Sequence, residues 1–72
     1  MNSESNRLLK SEMALFGDNL ASLAEFLGIA HQTLSRKISG KADFTQSEMT
    51  KIKERYKLSN EKFAKIFAKG VS

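Results

Sequence analysis

The sequence predicts an all-α fold: one compact domain built as a bundle of five short helices. Three observations lead there. Apolar residues recur three and four positions apart through almost the whole chain, and no stretch alternates as a strand would. The stripes break at glycines and at Asn, Thr and Ser residues suited to helix ends. The 72 residues, 40% hydrophobic and 28% charged, are ordinary globular material and enough for a single small core.

Taken in order, the first helix carries Leu9, Met13 and Phe16, with Leu20 continuing the step, and Gly17 ends it. Asn19 can cap the second, whose stripe is Leu20, Leu23, Ala24 and Leu27; Gly28 ends it after about two turns. The third starts near Ala30 or His31, carries Leu34 and Ile38, and stops by Gly40. Thr45-Gln46-Ser47-Glu48 is a capping box that opens the fourth, which carries Met49 and Ile52 and ends near Tyr56. Ser59 can cap the fifth, which carries Phe63, Ile66 and Phe67 and runs to about Lys69 before Gly70. Residues 1–5 and 70–72 are expected to be flexible.

Composition excludes several kinds of chemistry. There is no cysteine, so neither a disulfide framework nor a thiolate metal site can form. The single His31 cannot build a histidine metal cluster, and no metal or cofactor is expected. Gly40-Lys41-Ala42 is not a phosphate loop: the hydroxyl residue after the lysine is missing, and Ser35 stands where the first glycine would be. No paired catalytic carboxylates are recognisable, so an enzyme is not expected. Met13-Ala14-Leu15-Phe16 is the longest unbroken apolar run, far below the roughly 20 residues of a membrane span. No apolar signal region stands near the N-terminus, and a cytoplasmic compartment is expected.

Charge supplies the first functional clue. The net +4 is uneven: residues 1–30 hold two bases against four acids, whereas residues 31–72 hold ten bases against four. A basic half of this kind suits an anionic partner such as a phosphate backbone, or merely a solvated lysine face. Lys37, Lys41, Lys51, Lys53, Arg55 and Lys57 are its candidates for tracking phosphates.

The second and third helices carry the specific signal. Only Gly28-Ile29-Ala30 joins them, which sets two short helices at a steep angle. Leu20, Leu23, Leu27, Ile29, Leu34 and Ile38 fill the inside of the corner, and small Ala24 allows a close crossing. The third helix then presents His31, Gln32, Thr33, Ser35, Arg36 and Lys37. This front of hydrogen-bonding side chains suits base edges in a major groove about 12 Å wide.

Residues 19–40, and in them Leu23-Ala24, Gly28-Ile29, Thr33-Leu34-Ser35-Arg36 and Gly40, resemble the helix-turn-helix of phage repressor and Cro-like proteins. Flanking helices extend the likeness over about residues 7–68. Phe44-Thr45-Gln46-Ser47-Glu48-Met49 and Tyr56-Lys57-Leu58-Ser59 look like small regulators of Gram-positive temperate phages, modulators of repression (antirepressors) among them. The resemblance implies a lambda-repressor-like five-helix bundle and a regulator of operator DNA, with the third helix as reader. It implies base contacts from His31, Gln32 and Arg36, and phosphate contacts from Asn19, Thr33, Ser35 and Lys41, to which charge adds Lys37. Gln32 suits adenine, and Arg36 suits guanine or a phosphate. Ala30 departs from the family, whose members mostly have Ser or Thr at that cap.

Double-stranded DNA is thus the expected partner, with no membrane role. A homodimer and a complex with a phage repressor are the protein partners left open. In the second case the chain would act by binding the repressor, with little DNA binding of its own. Phe63, Ile66 and Phe67 either pack on the core or supply that dimer or partner surface.

Overall fold

Residues 3–67, which the computed structural model describes, form five α-helices: α1 (Ser3–Leu15), α2 (Leu20–Leu27), α3 (His31–Ser39), α4 (Gln46–Arg55) and α5 (Asn60–Phe67). There is no strand among the described residues. The expected caps are in place. The Asn19 side chain accepts from the Ser22 N–H at 2.8 Å, Thr45 from the Glu48 N–H at 3.1 Å and Ser59 from the Lys62 N–H at 3.1 Å. Around Thr45 the box is reciprocal, since Glu48 accepts from the Thr45 N–H at 2.9 Å.

One backbone device closes each of the first four helices. The residue after the turn donates to the carbonyl five positions back while its predecessor, in the left-handed conformation, donates to the carbonyl that follows that one. Ile29 N–H reaches Ala24 at 3.0 Å, Lys41 N–H reaches Arg36 at 2.9 Å, Asp18 N–H reaches Met13 at 2.8 Å and Leu58 N–H reaches Lys53 at 3.0 Å. Glycine fills the left-handed position after α1, α2 and α3, but after α4 the position holds Lys57, with φ at 51°. A Cβ in that region costs about 1 kcal/mol. Lys57→Gly is therefore expected to stabilise the protein by about 0.5–1 kcal/mol, read as a higher urea midpoint at unchanged m-value. An unchanged or lower midpoint would contradict this.

The core joins all five helices. Leu9 and Met13 come from α1; Leu23, Ala24 and Leu27 from α2; Leu34 and Ile38 from α3; Ile52 from α4 with Tyr56 and Leu58 just beyond it; and Ile66 from α5. α1 packs on α5 and α3, and α2 packs on α3.

Ser3, Glu4 and Ser5 form the first turn of α1, and the buried Ser5 hydroxyl donates to the Lys65 carbonyl of α5 at 3.1 Å. One expectation is corrected here. Phe16 does not complete the buried stripe of the first helix. It lies beyond the end of α1, is 49% exposed, and leans its ring on Tyr56 at 5.3 Å. The end of the fifth helix beyond Phe67, with residues 70–72, lies outside the described residues.

Candidate nucleic-acid interface

The connection between α2 and α3 turns in three residues. Gly28 is left-handed at φ 75° and Ala30 is extended, so the chain leaves α2 and immediately enters α3. No atom lies within 4 Å of where a Gly28 Cβ would sit, so the glycine answers a backbone need rather than a lack of space. Ile29 drops between the two helices onto the core. Ala30 makes no side-chain cap bond, which leaves the first N–H groups of α3 without one.

Leu34 and Ile38, at 0% and 2% exposure, hold α3 down and so decide what faces outward. At about 100° per residue, Arg36 stands opposite the midpoint of that pair and Gln32 lies one turn before it. His31, Gln32, Thr33, Ser35 and Arg36 are all exposed. His31 points nearer the core side by helical phase and is open because it begins the helix.

Asn19, just before α2, is exposed and spends its side-chain oxygen on the cap, while its amide N–H₂ is a donor the cap does not use. Lys41 is exposed just past Gly40. The structure thus gives one polar face to Gln32, Thr33, Ser35 and Arg36, with exposed His31 at the start of α3 and Asn19 and Lys41 at the ends of the two-helix unit.

Other candidates are placed differently. Lys37 pairs with Glu48 of α4, and each side chain is only 11% exposed. Lys53 donates to Asn60 at 2.7 Å and lies over the Phe63 ring, and Arg55 is bound to Asp18. Lys51 and Lys57 are exposed. Ile66, weighed as a dimer or partner surface, is a core residue at 2% exposure, because the phase of α5 turns it toward α1. Phe63 and Phe67 are half-buried, 5.0 Å apart, and Phe67 meets Phe44 edge-on at 5.4 Å.

A polar centre that sequence reasoning missed braces this unit from behind. The Asp18 carboxylate accepts four hydrogen bonds. Two come from Arg55, at 2.7 and 2.8 Å, and one each from the Tyr56 and Ser22 hydroxyls, both at 2.7 Å. The Arg55 hydrogen bonds, against the opposing effect of burial, hold the Asp18 carboxyl far below its usual range. Burial, and then the bond to Asp18, push the Tyr56 phenol up, so it stays a donor. Arg55 also covers the Phe26 ring at 4.4 Å. Residues 18 and 55 belong to different stripes, so no periodicity pairs them; the one sequence hint was an acid next to a cap.

Comparison of the chain with protein-family models, curated proteins and solved structures finds no match. Among the described residues no helix is long and apolar enough to cross a membrane.

Proposed function

We propose that this protein is a sequence-specific DNA-binding regulator of the phage repressor and Cro-like kind, in which α2 and α3 act as a helix-turn-helix. The observation that carries the reading is the face of α3: a helix locked by Leu34 and Ile38 whose outward side is entirely polar and exposed. Gln32 and Arg36 read bases, with His31 beside them as a donor at the start of the helix. Asn19, Thr33, Ser35 and Lys41 set the register on phosphates. The basic half of the chain steers association, which weakens as salt rises.

The role proposed is that of a binding module rather than an enzyme. The bacterial cytoplasm follows as the compartment from an operator-binding role.

The test is enrichment of duplexes from a random-sequence pool, followed by mobility shifts. Gln32→Ala with Arg36→Ala is expected to lower affinity for the enriched duplex by about 100-fold or more, with stability changed by no more than about 0.5 kcal/mol. Unchanged affinity in that double variant would sink this mode of readout.

A second reading rests on Leu15, Phe16 and Phe26, which are 75%, 49% and 42% exposed. Apolar groups left open in so small a domain suit an antirepressor that binds a larger repressor protein. Size-exclusion chromatography with a candidate repressor separates the two readings. A stable complex, from a chain that enriches no duplex by itself, would favour the second.

A further inference from the structure

Lys37 is the one base of α3 that does not face outward with Arg36, although it is the next residue along the helix. Its ammonium meets the Glu48 carboxylate, and both side chains are nearly closed to solvent. The same Glu48 oxygen accepts the Thr45 N–H at 2.9 Å. One carboxylate oxygen thus serves the cap of α4 and a side chain of α3.

α1 and α2 pack against α3, and Leu34 and Ile38 seat it on the core, but Ala30 gives its first turn no side-chain cap and Lys37 supplies its ion pair to α4. Arg36 stands opposite the seat and carries its guanidinium far from the helix axis, so even a small roll of the helix displaces it. A base contact has little tolerance for such a displacement.

We propose that Glu48, through Lys37, is a positioning residue for DNA readout: the pair locks the roll of α3, so Lys37 is a strut and not a phosphate contact. This rests on the DNA-binding reading. It also makes a prediction opposite in sign to simple electrostatics. Removing an acid from a DNA-binding domain should tighten binding by charge alone. Removing Glu48 should loosen it.

Glu48→Gln isolates the link, because glutamine still closes the capping box. Wild type, Glu48→Gln, Lys37→Gln and Lys41→Gln are compared on the duplex that wild type enriches and on a scrambled one. A salt series is run at a temperature where circular dichroism shows each protein folded. Glu48→Gln is expected to bind the enriched duplex about tenfold more weakly while binding to the scrambled duplex is unchanged. Lys37→Gln should lose the same selectivity with an unchanged salt slope, whereas Lys41→Gln should flatten the slope by about 0.9.

Equal or tighter binding by Glu48→Gln, or a slope flattened by Lys37→Gln, overturns the strut and leaves the DNA reading standing. If wild type enriches no duplex, the DNA reading fails and the strut falls with it. Should Glu48→Gln not fold, the salt slope of Lys37→Gln decides the matter alone.

Discussion

Leu34→Ala is expected to cost about 3–4 kcal/mol and to leave little folded protein at room temperature. Leu34 is fully buried at the centre of α3, where α2 and α1 both pack. Truncating a buried leucine loses its transfer free energy and leaves a cavity that neighbours fill only in part. A domain of this size has only roughly 3–5 kcal/mol in hand, so one such cavity consumes most of it. Urea unfolding followed by circular dichroism measures the effect directly. A loss under about 1 kcal/mol would mean that α3 is not seated by this residue. The contrast with Gln32 and Arg36 is informative: they share the helix with Leu34, but their truncation should touch binding rather than folding.

Asp18→Asn should be the next most damaging change, at about 2–3 kcal/mol. The side chain is 5% exposed and accepts from three residues. An amide there would turn an N–H₂ toward donors that need an acceptor, leaving Arg55 and Tyr56 poorly satisfied. Arg55 is 30% exposed, and water can compensate part of its loss, which keeps the cost below that of a fully buried pair.

The pH dependence follows with its sign. Asp18 has an ordinary value of 3.8 that folding lowers. Its stabilisation is complete above about pH 5 and drains away as pH falls through 3.8 toward the folded value. Glu48 adds to the same limb: burial opposes its ionisation, but Lys37 and the Thr45 N–H outweigh burial and keep its carboxyl low. Wild-type stability should therefore decline steadily below about pH 5, and Asp18→Asn should flatten that decline. An equally steep acid limb in the variant would remove Asp18 as its source.

The two polar centres show where sequence reasoning reached its limit. Helix ends are local. A glycine at position 28 or 40 and a Thr45–Glu48 pair carry their signal within a few residues, so the five helices and the turns between them were legible, to within a residue or two. Lys57 was not, because nothing about a lysine announces a left-handed turn; the next helix had to start where Leu58 could enter the core. The outward face of α3 was legible too, since Leu34 and Ile38 define its back by spacing alone. Whether Lys37 joined that face was not legible, because its partner lies eleven residues away on α4.

The amino-acid order by itself determined an all-α chain of five helices, the three-residue connection at Gly28-Ile29-Ala30, and the polar front from His31 to Arg36. Those features depend on turns, caps and a 3.6-residue period, all set by near neighbours. Tertiary structure alone decided which charged side chains remained available. It gave Asp18 to Arg55, Lys37 to Glu48 and Ile66 to the core, and left Leu15, Phe16 and Phe26 in the open. A charge is free or committed according to what the fold brings within hydrogen-bonding reach, and that distance is unrelated to separation along the chain.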